Sequence, residues 1–353
     1  MIREAIQKLI DGADLSFEES QSALEEIMSG EATNAQIAAF LTALRMRGET
    51  VEELTAFARL MRENCVRIHP NVSGRLLDTC GTGGDKIKTF NVSTTAAFVI
   101  AGADVKVAKH GNRSVTSKSG SADVLERLGV NIAVEPETVE KAIEQVGIGF
   151  MFAPAFHPAM KYAVAPRKEV GIRTAFNILG PLTNPASANA QLLGVYDPRL
   201  TERLAYVLKG LDCEEAMVVH GLDGLDEVST LGKTVISHLI GGEVITTETV
   251  PRDFGIKQAN IEALQGATSE ENAEVLFKII NGTSTEDDAR RDIVLVNAAA
   301  GLIVAGKAQN FAEGMDLGKK SIRSGAAYAK LKALVRVTCG DTSKLEGLEH
   351  KYA

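Results

Sequence analysis

The chain has 353 residues, 45% hydrophobic and 24% charged with 32 glycines, a composition that can bury a large core and excludes a disordered or fibrous protein. Its 38 basic and 46 acidic side chains leave a net charge of -8, and tryptophan is absent. Those numbers argue against a general partner for nucleic acid or anionic membrane, and against an aromatic platform for single strands. Four scattered cysteines (Cys65, Cys80, Cys213, Cys339) form no CxxC pair, so neither a zinc site nor a disulfide framework is indicated. The acidic, amphipathic start and the lack of a run of about 18 apolar residues predict neither a signal peptide nor a membrane span, and a reducing, cytoplasmic setting is the expectation.

Residues 1 to 66 read as helix throughout, with Ile2, Ile6, Leu9 and Ile10 at helical spacing, capping boxes at Ser16…Glu19 and Thr50…Glu53, and stops at Gly30 and Gly48. So few residues bury little alone. The small-residue segment "AQIAAFLTALRM" suits packing on another helical layer, either of this chain or of a second subunit. From residue 75 the pattern changes to "RLLDTC", "TTAAFVIAGA", "VKVA", "SADVLERLG", "VNIAV", "ETVEKAIEQV" and "IGFMFAP", an alternation of short apolar runs and helices that predicts βαβ units on a parallel sheet. Residues 157 to 182 interrupt it with helical periodicity and no strand. Then come "QLLGVY", a helix over 199–210, "AMVVHG", a predicted hairpin of "TVISHLI" and "GEVITTETV", and four closing helical segments.

Four segments carry candidate chemistry. "GTGGD" at 81–85 stands between a strand and a helix, where backbone N–H groups can cradle an anion or simply make a turn. It lacks the third glycine of a dinucleotide fingerprint, since Lys86 stands there, and the Walker spacing is absent as well. The adjoining "NVSTT" adds Asn91 and Ser93, able to cap a helix or reach a ligand. Residues 105–122 contain no Asp or Glu but hold Lys106, Lys109, His110, Arg113, Lys118 and five hydroxyls, a set suited to several phosphate oxygens at once. A solvated loop with Ser121 capping the next helix is the plainer alternative.

Third, "HGLDGLDEVST" places Asp223, Asp226 and Glu227 after an apolar strand, where open α/β sheets bind ligands. Carboxylates beside phosphate indicate magnesium, whereas alone they would be an acidic turn. Fourth, "APRKEVGIRTAFNILGPLTNP" holds Arg167 and Arg173, six apart and hence on different faces of one helix. One could clamp a carboxylate and the other hold a domain seam. The scattered histidines His69, His157, His220 and His238 mark no catalytic constellation.

Taken in order, "CGTGGD", "KHGNRSVTSKSGSADVLE", "GIRTAFNILGPLTNP" and "DGLDE" resemble the signature segments of the anthranilate phosphoribosyltransferase family over nearly the whole chain. The resemblance implies a nucleoside phosphorylase-like α/β fold: a small helical domain over 1–70, completed by the excursion at 157–182, and a larger domain over 71–353 with a mostly parallel central sheet. It implies transfer of phosphoribose from 5-phosphoribosyl 1-diphosphate to anthranilate in tryptophan biosynthesis, in a cytoplasmic homodimer joined through the helical domain. Carried residue by residue, it assigns the sugar diphosphate to Gly81, Gly84, Asp85, Thr89, Asn91, Val92, Ser93, Thr94, Lys109, His110, Gly111, Asn112, Arg113, Ser114, Val115, Thr116, Ser117 and Ser121. It assigns anthranilate to Gly81, Asn112 and Arg167, and Mg2+, two per subunit, to Ser93, Asp226 and Glu227. Lys109, His110, Asn112 and Arg167 are the expected catalytic residues, with His110 as the proton shuttle. Two rival readings fit the sequence: a nucleoside phosphorylase, which would not need the "DGLDE" carboxylates, and a non-catalytic sensor of a phosphorylated metabolite.

Overall fold

Four helices come first in the computed structural model, whose described residues are 1–84, 86–114 and 119–352. They are α1 (Ile2–Ile10), α2 (Phe17–Ser29), α3 (Asn34–Arg47) and α4 (Val51–Glu63). Both expected capping boxes form, and Thr33 with Gln36 makes a third at the start of α3. The chain then runs β1 (Leu76–Gly81), α5 (Val92–Gly102), β2 (Lys106–Gly111), α6 (Ser121–Arg127), α7 (Pro136–Lys141) and β3 (Ile148–Phe152). The helical excursion follows as α8 (Ala153–Phe156), α9 (Lys161–Val170) and α10 (Phe176–Leu179). Next are β4 (Ala190–Gly194), α11 (Arg199–Gly210), β5 (Glu215–Gly221), and the hairpin of β6 (Thr234–Ile240) and β7 (Glu243–Thr249). The chain closes with α12 (Ile261–Leu264), α13 (Ser269–Ile280), α14 (Ala289–Val304), α15 (Phe311–Arg323), α16 (Ala326–Val337) and α17 (Ser343–Tyr352).

The seven strands form one sheet in the order β3-β2-β1-β4-β5-β6-β7. The strands from β3 to β5 are parallel, and β6 and β7 add an antiparallel edge. The chain enters at β1, winds through α5 toward β2 and β3, then returns to β4 and winds the other way. Loops leaving β1 and β4 therefore diverge, and a crevice opens at the carboxyl ends of these neighbours. Gly81 and Gly194, which end the two strands, are register partners.

One large core lies between the sheet and a layer of α5 and α13–α17, of which α5 and α14 are buried almost all round. An uninterrupted apolar helix of this kind is stable only between other elements. A second core joins α1–α4 to α9, α10, α11 and the opposite face of β4 and β5. No helix among the described residues is long and apolar enough to cross a membrane.

Two expectations need correction. "VNIAV" (130–134) stands in a strand position of the alternation but joins no strand. Val130 and Ile132 are buried in the core, while the Asn131 N–H donates to Thr338 Oγ1 and the Gly129 carbonyl accepts from Asp341 N–H. Apolar content reported burial correctly, but the backbone partners come from the end of α16. The closing helices are five long ones plus the short α12, with Gly325, at φ 74°, separating α15 from α16.

Candidate active site

The glycine turn after β1 is held from two sides. Gly83 and Gly84 have φ of 68° and 80°, which favours glycine over any side chain. The Gly83 N–H donates to Asp226 Oδ2 at 2.9 Å, and the Thr82 N–H to the Gly194 carbonyl at 2.9 Å. A Cβ on Gly81 would stand 2.5 Å from Asp226 Oδ2, and one on Gly194 only 1.6 Å from the Asp226 carbonyl oxygen. The two strand-ending glycines thus admit the carboxylate loop to the mouth of the crevice. From the other side Arg173 donates to the Gly84 carbonyl at 2.6 Å, with its guanidinium 4.2 Å from the centre of the Tyr196 ring. Arg173 accordingly holds a seam, the second of the roles open to the arginine pair. Asp85 lies outside the described residues.

Beyond the turn, Thr89 forms a bridge with Gln265, and Asn91 stands at the start of α5. Asn91 makes no capping bond with its side chain, contrary to one expectation; it donates to the Ser119 carbonyl and accepts from Asn272. Val92 and Thr94 are buried in the core, and Ser93 next to them is half-buried, its Oγ accepting from Lys109 Nζ at 3.4 Å.

Lys109, only 3% exposed, also donates to the Thr79 carbonyl. Burial lowers its pKa, and the carboxylates of Asp78 and Glu227 pull the other way. Lys109 therefore links Ser93 to the electrostatic reach of Glu227. Asp78, wholly buried below it, accepts from the His110 N–H; burial pushes its carboxyl up to about 6 against the pull of Lys109. The rings of His110 and His157 lie side by side, tilted by 51°, with centres 5.1 Å apart. Burial lowers their pKa values to about 3 and about 4, and each has Nε2 buried without a hydrogen-bond partner. Their other ring nitrogens bond the Gly180 and Thr183 carbonyls, so Nε2 carries the free lone pair of a neutral imidazole. Burial therefore keeps the His110 imidazole neutral at neutral pH, with that lone pair available.

The loop after β2 divides. Gly111 makes room for Ser121, whose Oγ donates to the Asn112 carbonyl, and the exposed Asn112 folds its own Oδ1 onto the Arg113 N–H. Arg113 turns to α6, where it pairs with Asp123 and Glu126 and lies over Phe152. The Ser114 and Gly120 N–H groups donate to Asp123 Oδ2. It is Asp123, not Ser121, that organises the start of α6. Val115, Thr116, Ser117 and Lys118 lie outside the described residues.

Asp226 and Glu227, 9% and 8% exposed, leave β5 toward the glycine turn. Asp223 instead ties its own turn through the Ser229 hydroxyl and the Leu225 N–H. Among the described residues no three His, Cys, Asp or Glu side chains are grouped to hold a metal. Two carboxylates and the Ser93 hydroxyl are hard oxygen donors that leave most of a coordination shell to water and ligand phosphate, as Mg2+ prefers. Arg167, on α9, is half-buried with its guanidinium 5.3 Å from the Phe176 ring centre, and no hydrogen bond or ion pair ties that guanidinium to another described residue. Burial lowers its pKa, so an arriving anion would be welcome there. Asp78, Thr79 and His157 were not singled out: His157 lies far from His110 in the chain, and no spacing rule relates them.

The arrangement defines an architecture first: an α/β domain with a helical bundle and a glycine turn at the switch point of its sheet. Models of the glycosyl transferase family match accordingly, the helical bundle domain at residues 3–65 and the a/b domain at 73–328. Curated relatives named anthranilate phosphoribosyltransferase include those of Pelotomaculum thermopropionicum, 52% identical over 97% of this chain and 99% of the relative, and Acetivibrio thermocellus, 53% identical over 96% and 97%. Among solved structures, the enzyme of Thermus thermophilus superposes with a TM-score of 0.88 at 40% identity, covering 95% of this chain and 99% of that one. The Saccharomyces cerevisiae enzyme in complex with PRPP and Mg gives 0.89 at 31% identity, covering 96% and 98%. The chain belongs to the anthranilate phosphoribosyltransferase family.

Proposed function

We propose that the protein transfers the phosphoribosyl group of 5-phosphoribosyl 1-diphosphate to the amino group of anthranilate, giving N-(5-phosphoribosyl)anthranilate and diphosphate, a step of tryptophan biosynthesis. The observation that carries this is 52% identity, over 97% of the chain, to an anthranilate phosphoribosyltransferase, in a chain whose glycine turn meets Asp226 at the switch point of the sheet. A yeast relative solved with 4-fluoroanthranilate supports the acceptor.

In this reaction the C1–oxygen bond breaks with its electron pair leaving on diphosphate, and a C1–nitrogen bond forms. The glycine turn (Gly81, Gly84, Asp85), Thr89, Asn91–Thr94 and the segment Lys109–Ser117 with Ser121 hold the donor. Backbone N–H groups and the start of α5 suit its phosphates. Ser93, Asp226 and Glu227 hold Mg2+, two ions per subunit. When bound, the metal offsets the charge building on diphosphate.

Lys109 is committed to Thr79 and Ser93, so its part is to fix the Ser93 hydroxyl and add positive potential from beneath. Arg167 pairs with the anthranilate carboxylate, while Gly81 and Asn112 line the rest of that subsite. His110, whose imidazole is neutral, is the proposed shuttle for the proton lost after attack. Since a neutral amine needs no prior deprotonation, orientation supplies much of the rate.

The helical part, 1–70 with 157–182, is proposed as a separate domain that carries Arg167 and joins two subunits in a cytoplasmic homodimer. The test of the reaction is direct: with both substrates and Mg2+ at saturation, anthranilate fluorescence should fall as product forms, and an unchanged signal overturns the assignment.

A further inference from the structure

Behind the sheet, at the end of α5 farthest from Ser93, the structure holds a second pocket, of about 460 Å³. Asn281, Ser284, Glu286, Arg291, Arg323 and Gly325 line it, where α13 ends, α14 begins, and α15 gives way to α16. Its distance from the active site follows from helix geometry. The Ser321 hydroxyl beside the pocket donates to the Val99 carbonyl, which lies about 9 Å along the α5 axis from Ser93.

Arg291 is the feature that requires explanation. It is 7% exposed, its Nε is buried without a hydrogen-bond partner, and no ion pair joins it to any described residue. Asp292, next in the chain, feels its charge without forming an ion pair with it. A guanidinium taken out of water without a paired carboxylate is costly, and proteins retain one where an anion arrives to meet it. Three neighbours point the same way. Arg323 lines the pocket without an ion pair among the described residues, and Ser284 Oγ is buried without a partner. The 12-residue helix α16 begins at Gly325 with no side-chain cap and no acid in its first turn, which leaves its leading N–H groups for a ligand. The acid on the wall, Glu286, is exposed and pairs with neither arginine. The volume exceeds that of a bare ion and lies in the range of small-molecule sites, roughly 300–1,000 Å³.

We propose that this pocket is a second binding site, which takes a small metabolite by a phosphate or carboxylate group held between Arg291, Arg323 and the start of α16. It stands apart from the transferase reaction and uses none of its residues.

The test compares wild type with Arg291→Gln in thermal unfolding titrated with inorganic phosphate and, separately, with succinate. The active site also takes anions, but equally in both proteins, so the difference between them isolates the pocket. The midpoint should rise further in wild type, with phosphate if the ligand is a phosphate ester and with succinate if it is a carboxylate, while turnover of the variant stays unchanged. Equal curves with both anions overturn the proposal. A second measurement does not depend on the variant folding. Wild-type crystals soaked in selenate should show anomalous density between Arg291 and Arg323, whereas no density there, with Arg291 closed on Glu286, also overturns it.

Discussion

His110 and His157 show how much a single residue's environment decides. Free imidazoles titrate near 6.5, and these two are held at about 3 and about 4, chiefly by burial. The unfolded chain therefore binds protons that the folded one refuses. Their contribution to stability is complete above pH 6.5 and is lost as pH falls toward 4, at about 1.4 kcal/mol per pH unit for each histidine. Asp78 works with the opposite sign: raised from 3.8 to about 6, it favours the fold most below 3.8 and loses that as pH rises through 6. With two groups against one, the urea midpoint should drop between pH 6.5 and pH 5, and His157→Gln should flatten that slope. Arg167→Ala belongs to the same scale. Loss of one charge-assisted bond, about 1.5–3 kcal/mol, should raise the anthranilate KM roughly 10- to 100-fold and leave the KM for the sugar diphosphate unchanged. Asp226→Asn with Glu227→Gln should abolish magnesium dependence and lower kcat on the order of 10²-fold or more, read from initial rates across a magnesium titration. Asp226 and Glu227 could be named only through the family resemblance that "DGLDE" carries, since the segment alone reads as an acidic turn. Asp78 and His157 could not, since their neighbours arrive from other strands and loops.

At the scale of elements, the approach of β1, β4 and the loop after β5 depends on the absence of side chains. Gly194→Ala would drive a methyl into the Asp226 carbonyl, 1.6 Å away. The loop must shift, at about 1–3 kcal/mol for overpacking, and with it Asp226. Thermal unfolding and kcat should therefore fall together, whereas Gly74→Ala, open to solvent but at φ 78°, should cost stability alone. Capping boxes, the hairpin and the helix over 199–210 were legible because their signals are local. "VNIAV" misled for the complementary reason: five apolar-rich residues indicate burial, while strand pairing depends on whether a neighbour offers its backbone.

For the molecule as a whole, the helical layer leaves Ile10 and Met46 67% and 84% exposed, on α1 and α3. Exposed apolar side chains on this layer are the surface on which the proposed dimer interface can be tested. The protein should sediment as a dimer, and Met46→Glu should shift it toward monomer without changing the site; a monomeric wild type would remove the proposed interface. The sequence by itself determined the alternation of strands and helices, the helical start, the interrupting excursion and the four polar segments, because period and composition are written in neighbouring residues. Tertiary contacts alone decided that the chain reverses its winding between β1 and β4, that Arg113 turns to α6, and that Arg291 is buried without an ion-pair partner among the described residues. Those are facts about partners distant in the chain, and the energy of a buried charge is set by the groups that fold around it.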